Sequence, residues 1–206
     1  MNMQLTARDL ELLRWINSVG SVTIEHIATW MEVGKTTAYA RIKKLVDNAY
    51  LRHQRMLYGK PGIYQVETSG VQISNSPLSP MRNIPLGTYH HDHAVTTLCL
   101  LLAQKYHCDY TPERSLRYES GKTGVGRFGH TADAVLHLPD KEVAIEVELT
   151  KKGNRRREKI FQYYMKNFDY KEVWYFCGNQ EVQRQIEPYL SKASFIKVYP
   201  LADYIV

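Results

Sequence analysis

Residues 132–150 read ADAVLHLPDKEVAIEVELT, two short apolar runs separated by a turn at residues 139–141. This pattern predicts two antiparallel strands joined as a hairpin. Because side chains alternate between the two faces of a strand, Glu146 and Glu148 share one face of the second run. A carboxylate inside an apolar strand is costly unless it is paired or bound to a cation. If Asp133 lies beside Glu146, three carboxylates converge, and hard cations such as Mg²⁺ or Mn²⁺ prefer such oxygen-rich sites.

The composition indicates a globular protein. Of its residues, 44% are hydrophobic and 23% are charged. The length of 206 residues is enough for one large domain or two modest ones. The longest apolar run is too short to cross a bilayer and the N-terminus lacks a signal-peptide pattern, so we expect a cytoplasmic location and no membrane partner. Cys99, Cys108 and Cys177 are too widely spaced for a disulfide framework or a zinc signature, and we expect them in the core.

Basic residues gather in two parts of the chain, although the formal charge of +6 is modest. Residues 41–60 contain six lysines or arginines and one aspartate, and residues 151–159 contain six lysines or arginines and one glutamate. Two such clusters are typical of a protein that binds a polyanion, and they are equally typical of charged faces exposed to solvent.

Three helix patterns fill the first part of the chain. The first two begin at a threonine cap, and all three repeat apolar residues at helical spacing. We predict these helices over residues 6–20, 23–34 and 35–47. Two strand-like runs follow, residues 50–55 and 63–66, joined by a basic, glycine-rich tip. The parts are three helices, with a tight turn between the second and third, followed by a β-hairpin.

This order of elements resembles winged helix-turn-helix DNA-binding domains over residues 1–73, with residues 36–48 as the recognition helix and residues 59–62 at the wing tip. The resemblance implies that the recognition helix faces the major groove while basic residues near the wing reach phosphates. The implied contacts to double-stranded DNA are Thr36, Thr37, Tyr39, Arg41, Lys44, Arg52, Arg55 and Lys60. A winged helix that docks on protein is the alternative, and the basic charge of both surfaces favours DNA.

Residues 74–89 concentrate proline, serine and asparagine, which predicts a linker between domains. A helix pattern then runs from His90 to Tyr106, with His90, His91, Asp92 and His93 in its first turn. Consecutive helical residues point in different directions, so this cluster does not have the spacing of a metal site. The Gly-Val-Gly at residues 124–126 precedes no helix and is a weak nucleotide-binding fingerprint.

The rest of the chain alternates helix and strand patterns, which indicates an α/β layer arrangement. We predict helices over residues 155–168 and 180–190 and strands over residues 173–177 and 195–199. With the acidic hairpin, this order over residues 90–206 resembles the PD-(D/E)XK nuclease-like fold. More narrowly, ADAVL from residue 132, IEVELT from residue 145 and KIFQYY from residue 159 resemble the replication-relaxation family of plasmids and mobile elements, whose members also carry an N-terminal winged helix.

The nuclease resemblance implies roles for the acidic residues. Asp133 and Glu146 match the acids that bind Mg²⁺ or Mn²⁺, and Glu148 occupies the place of a lysine that stabilises the attacked phosphate. A carboxylate cannot supply positive charge to a developing phosphorane, so Lys151 or Lys159 would have to substitute. The departure favours a degenerate domain that neither cleaves DNA nor needs a cofactor. The candidate catalytic residues are thus Asp133, Glu146, Glu148, Lys151 and Lys159.

These observations lead us to expect a two-domain α/β protein that binds plasmid or mobile-element DNA in replication, relaxation or conjugative transfer. Relaxase or replication proteins are the expected protein partners, and a homodimer is compatible with the pattern. A metal-dependent DNA endonuclease and a winged-helix transcription regulator remain as alternatives. In the endonuclease, Glu113 on the preceding strand would be a further acid at the edge of the cluster. In a purely structural alternative, Glu146 and Glu148 pair with Lys151, Arg155 or Arg157 and nothing is bound.

Overall fold

The structure, a computed structural model, describes residues 3–121 and 129–205 of a mixed α/β chain. The chain divides into two compact units, Met1–Tyr89 and His90–Val206. No helix within the described ranges is long and apolar enough to cross a membrane. The Gly-Val-Gly at residues 124–126 lies outside the described residues.

The first unit is built of short helices packed on a small antiparallel sheet. Its elements are α1 (Ala7–Val19), β1 (Val22–Thr23), α2 (Ile24–Met31), α3 (Lys35–Asp47), β2 (Leu51–Gln54), β3 (Ile63–Val66) and α4 (Thr68–Ser74). The sheet order is β1-β3-β2. Thr6 and Thr23 close capping boxes at the starts of α1 and α2, which satisfy backbone N–H groups that have no partner within the helix. The three predicted helices and the hairpin are confirmed, whereas β1 and α4 were too short to be predicted.

The core of the first unit lies between the helices and the sheet. Leu13, Ile16 and Ile27 from α1 and α2 meet Ile42 and Leu45 from α3, all of them buried. Since these residues recur every three or four positions, each helix buries one side and leaves the other to solvent. This packing fixes which face of α3 is exposed.

The predicted linker is not a free segment over its whole length. Ser74 still belongs to α4, and Asn17 Nδ2 donates hydrogen bonds to Ser76 Oγ at 2.8 Å and to the Leu78 carbonyl at 2.7 Å. Arg52 Nη2 donates to the carbonyls of Met81 and Arg82 at 2.9 and 2.6 Å. Residues 76–82 therefore pack on the first unit, because its side chains satisfy their backbone oxygens.

The second unit contains a five-stranded mixed sheet with helices on both faces. Its elements are α5 (Tyr89–Tyr106), β4 (Asp109–Pro112), α6 (Glu113–Glu119), β5 (Ala134–Leu138), β6 (Lys141–Glu148), α7 (Asn154–Lys166), β7 (Glu172–Cys177), α8 (Gln180–Leu190), β8 (Ile196–Pro200) and a short 3-10 helix, Leu201–Asp203. The strand order is β4-β5-β6-β7-β8, antiparallel from β4 to β6 and parallel from β6 to β8.

The two faces of this sheet have different neighbours. Ile145 and Val147 of β6 belong to the core that includes α5, whereas Ala144 belongs to the core that includes α7 and α8. Strand alternation therefore directs Glu146 and Glu148 toward the side of α7 and α8. The predicted hairpin and its alternation are confirmed.

Glu113 does not lie on a strand, contrary to the sequence prediction. It is the first residue of α6, after Pro112, and Arg117 Nε donates to its Oε1 at 2.8 Å one turn later. A carboxylate in the first turn of a helix is favoured by the helix dipole, and a partner at i+4 adds to that preference. The prediction missed the helix because it is only seven residues long and follows directly on Pro112, the last residue of the strand.

Candidate nucleic-acid interface and carboxylate site

The outer face of α3 presents most of the residues predicted to contact DNA. Thr36, Thr37, Tyr39 and Lys44 are exposed, and the Tyr39 ring retains 54% of its surface. They are exposed because Ala38, Ile42 and Leu45 occupy the opposite side of the helix and are buried in the core. The face thus combines hydroxyl groups, one aromatic ring and one lysine.

Arg41 lies on the same helix but directs its guanidinium to an acid of α1. Its Nε donates to Asp9 Oδ1 at 2.7 Å, and its Nη2 donates to Asp9 Oδ2. Asp9 is only 3% exposed. Burial alone would raise the pKa of this carboxyl, but hydrogen bonds from Arg41 and Thr6 outweigh it and leave the pKa below its usual value. The sequence pattern assigns Arg41 to DNA and does not indicate this pair with Asp9.

The cations predicted to lie on or near the wing also fall into two groups, those exposed to solvent and those bonded within the protein. Arg55 and Lys60 are exposed, and Tyr58 between them is fully exposed. Arg52 instead donates from Nε to Gln65 Oε1 at 3.1 Å while its Nη2 holds the carbonyls of Met81 and Arg82. Of the predicted DNA contacts, Arg41 and Arg52 are partly buried, and the exposed ones are Thr36, Thr37, Tyr39, Lys44, Arg55 and Lys60.

Asp133, just before β5, is held by a histidine and a backbone amide. Its Oδ2 accepts a hydrogen bond from the Val147 N–H at 2.8 Å and lies 3.3 Å from His91 Nε2. Burial would lower the pKa of His91, but its contacts with Asp133 and Asp92 raise that pKa to about 10. The prediction had left these histidines without a firm role.

Glu146 on β6 is 1% exposed and has two partners of its own. Its Oε1 lies 2.6 Å from His130 Nε2 and accepts a hydrogen bond from the Tyr164 hydroxyl of α7. Burial first, and then the charge of Glu146, raise the pKa of Tyr164 well above its usual value, so the phenol remains a donor. His130 was not among the predicted site residues, because no strand or helix pattern surrounds it.

Glu148, two residues further along β6, pairs with Lys152. The Lys152 Nζ lies 2.6 Å from Glu148 Oε2. Burial raises the pKa of Glu148 above its usual value, and the neighbouring charges of Glu146 and Asp133 act in the same direction against Lys152. The predicted substitute Lys151 pairs with Glu181 instead, and Lys159 is exposed without an ion pair among the described residues. The lysine that pairs with the cluster is therefore Lys152, the neighbour of the predicted Lys151.

Tyr175 of β7 brings a hydroxyl to the same region without a visible partner. Its oxygen is buried and makes no hydrogen bond within the described ranges. Burial, followed by the charges of Glu146, Glu148 and Asp133, raises the pKa of this phenol well above its usual value. The side chain lines a narrow cavity with Glu148, Lys152, Arg157 and Gln185. The volume of this cavity, about 10 Å³, is close to that needed by one water molecule.

The arrangement gives each of the three acids its own donor. Within residues 3–121 and 129–205, no group of three or more His, Cys, Asp or Glu side chains is placed to hold a metal ion. One oxygen of each of two acids is engaged: Asp133 Oδ2 by His91 and the Val147 amide, and Glu146 Oε1 by His130 and Tyr164. The cluster is a network of hydrogen bonds and ion pairs.

Comparison of the chain with protein-family models, with curated proteins and with solved structures found no match. The geometry of the two candidate sites is therefore the basis for a functional assignment.

Proposed function

We propose that this chain is a cytoplasmic DNA-recognition protein of plasmid or mobile-element replication, relaxation or transfer, with relaxase or replication proteins as partners. The first unit acts as a winged helix-turn-helix domain on double-stranded DNA. The second unit is a nuclease-like domain that does not cleave. The observation that carries the proposal is the exposed polar face of α3 together with the exposed cations Arg55 and Lys60 of the wing.

The element order of the first unit supports DNA recognition. A tight turn at residues 32–34 separates α2 from α3, and a hairpin follows α3, which is the order of a winged helix. Lys44, Arg55 and Lys60 lie on exposed positions. Exposed cations of this kind reach phosphates, while threonine hydroxyls can bond base edges in the major groove.

The order of the second unit supports the nuclease-like assignment, and its pairing supports the absence of cleavage. The order is helix α5, the antiparallel strands β4 to β6 with α6 between β4 and β5, the crossover helix α7 and the parallel strand β7. This order is similar to that of the nuclease-like fold. Glu148 stands in the place of the lysine, and each acid is already neutralised or hydrogen-bonded. Without a free cation beside a bound phosphate, the main source of transition-state stabilisation is missing.

A metal-dependent endonuclease is the second candidate, and one observation favours it. Lys152 lies in the turn between β6 and α7 and brings a positive charge to the acidic cluster. The strand position at which the nuclease pattern has its lysine is occupied by Glu148. For this function, Asp133 and Glu146 would have to exchange their present partners for a metal ion. The two candidate functions therefore differ in whether the protein cleaves DNA, which a single assay measures.

The test combines binding and cleavage on the same supercoiled plasmid, incubated with the protein and Mn²⁺. The wild-type protein should retard the plasmid without nicking it. The variant Lys44→Gln/Lys60→Gln should weaken binding and lower the slope of log K against log salt by about 1.8, since each phosphate contact contributes about 0.9. The charge-matched control Lys171→Gln/Lys192→Gln, on exposed positions of the second unit, should leave the slope unchanged.

The cleavage arm compares wild type with Asp133→Asn/Glu146→Gln, which keeps the shape of both side chains. Nicking by the wild type that the variant loses would establish the endonuclease. Failure of the wild type to retard any DNA would contradict DNA recognition itself. Circular dichroism of each variant checks that the buried substitutions have not unfolded the protein.

A further inference from the structure

Helix α7 carries a strongly basic outer face that the proposed function does not use. The exposed residues Arg155, Arg156, Lys159 and Lys166 lie along it, and none of them has an ion pair within the described ranges. The helix contains one acid, Glu158, whose Oε2 accepts a hydrogen bond from the Tyr189 hydroxyl at 2.8 Å. The acid of α7 is thus engaged with α8 while these four cations stay exposed.

The remaining basic residue of the helix shows the contrast. Arg157 donates from Nη1 to Gln185 Oε1 and from Nη2 to Asn154 Oδ1, each at 2.8 Å, and it lines the cavity beside Tyr175. It is therefore a structural residue that ties α7 to α8. Among residues 90–121 and 129–205, no comparable contact is found for the exposed cations, so packing of these residues does not account for them.

Arg155, Arg156 and Lys159 do not stabilise the helix that carries them. Arg155 and Arg156 lie in the first turn, where acids are favoured and cations are opposed by the helix dipole. Arg155 and Lys159 are also one turn apart, a spacing at which like charges repel. A surface that costs the fold stability in this way is explained by an anionic partner that neutralises it.

An exposed aromatic ring follows the basic face. Phe168 lies two residues after the end of α7 and is 90% exposed, and Met165 in the last turn is exposed as well. Proteins that bind single-stranded DNA combine cations that follow the backbone with aromatic rings on which bases stack. In a duplex the bases are stacked on one another, so only a single strand can use Phe168 in this way.

We propose that the outer face of α7 binds single-stranded DNA, with Arg155, Arg156 and Lys159 on phosphates and Phe168 stacked on a base. This activity is separate from the duplex recognition assigned to the first unit. It gives the protein two DNA surfaces of different specificity, one on each unit.

The test measures binding of the full-length protein to a fluorescent oligothymidylate by anisotropy, over a range of salt concentrations. Arg155→Gln/Arg156→Gln/Lys159→Gln should lower the slope of log K against log salt by about 2.1, because each contact to a single strand contributes about 0.7. Phe168→Ala should reduce the affinity on the order of ten-fold without changing the slope, as expected for the loss of one stacked base.

Matched controls separate this site from general charge and from the first unit. Lys171→Gln/Arg184→Gln/Lys192→Gln removes the same charge from other exposed positions of the second unit and should leave oligothymidylate binding unchanged. Phe168→Ala should bind duplex DNA as the wild type does, and Lys44→Gln/Lys60→Gln should bind oligothymidylate as the wild type does.

Three results would overturn the proposal. The first is an equal effect of the α7 variant and its control, and the second is wild-type protein that binds the duplex but not the oligothymidylate. The third is binding of the α7 face to phosphatidylserine vesicles in place of the oligonucleotide. Each of these leaves duplex recognition intact, so failure of this site is distinguishable from failure of the first.

Discussion

Arg41 illustrates how a buried acid can engage a residue that the sequence pattern assigns to DNA. The sequence places it on the polar face of α3 with Thr37 and Lys44, and a DNA contact follows naturally from that alignment. In the structure its guanidinium is bonded to Asp9, which lies 32 positions earlier. A buried carboxylate needs donors to offset the loss of water, and Arg41 supplies two. No local sequence pattern connects these residues, so only the packing of α1 against α3 could show the pair.

Removal of this guanidinium should destabilise the protein. Arg41→Ala leaves the Asp9 charge buried without its main partner, and breaking such a pair by removing one side costs about 3 kcal/mol. Urea denaturation should therefore show that much loss in the free energy of unfolding. The neighbouring Lys44→Ala removes the same charge from an exposed position of the same helix and should change stability by less than about 0.5 kcal/mol. Equal effects of the two substitutions would mean that the Arg41–Asp9 pair contributes nothing to folding.

At the scale of elements, the periodic spacing of apolar residues predicted the longer helices and strands and missed the shortest elements. The alternation in β5 and β6 correctly placed Glu146 and Glu148 on one face, and helical spacing correctly located α1, α2 and α3. β1 has two residues and α4 has seven, too few for a period to stand out. Residues 76–82 contain proline and serine, as linkers do, yet they pack on the first unit through Asn17 and Arg52.

The contact between β2 and this segment can be tested by proteolysis. Arg52 Nη2 donates to the carbonyls of Met81 and Arg82, so Arg52→Gln should release the peptide around Arg82. Loss of two hydrogen bonds of about 0.5 to 1.5 kcal/mol each, about 1 to 3 kcal/mol together, raises the population of the open segment by a factor of roughly 5 to 160. Trypsin cleavage after Arg82, located by mass spectrometry, should accelerate by about that factor.

Arg55→Gln is the control for the proteolysis experiment. It removes one arginine from an exposed position just after the same strand, and no hydrogen bond from its side chain is found in the described residues. The rate of cleavage after Arg82 should therefore equal that of the wild type. An unchanged rate in Arg52→Gln as well would show that the segment is held by other contacts, such as the bond from Gln65 Nε2 to the Met81 carbonyl.

At the scale of the whole molecule, the acidic cluster was predictable and its neutralisation was not. The acids lie within one hairpin, where register and alternation bring Asp133, Glu146 and Glu148 together. Their partners come from four other places: His91 from α5, His130 from the segment before β5, Lys152 from the turn before α7, and Tyr164 from α7 itself. Tertiary packing alone brings these segments to the sheet, which is why the sequence pattern could not show the hydrogen bonds and ion pairs of the cluster.

One acid of the second unit connects three strands and gives the fold a specific pH dependence. Glu172 of β7 accepts from Lys141 Nζ of β6 at 2.8 Å and from Trp174 Nε1 at 2.6 Å, and it pairs with Lys197 Nζ of β8 at 2.9 Å. Burial alone would raise the pKa of this carboxyl, but these hydrogen bonds lower it to about 2. The folded state therefore binds the Glu172 proton more weakly than the unfolded chain does.

The lowered pKa of Glu172 determines how the stability of the fold changes with pH. The contribution of Glu172 to stability is complete above its ordinary value of 4.5 and is lost as the pH falls toward about 2. Glu172→Gln lacks this contribution at every pH, so it should be less stable than wild type by about 2 kcal/mol near neutrality. The difference should shrink steadily as the pH is lowered from about 4.5, when measured by urea denaturation at each pH. Asp9 titrates in both proteins, and its own acid-linked loss cancels in the difference. A stability difference that stays constant from neutrality to about pH 2 would mean that the charge of Glu172 contributes nothing to the stability of the fold.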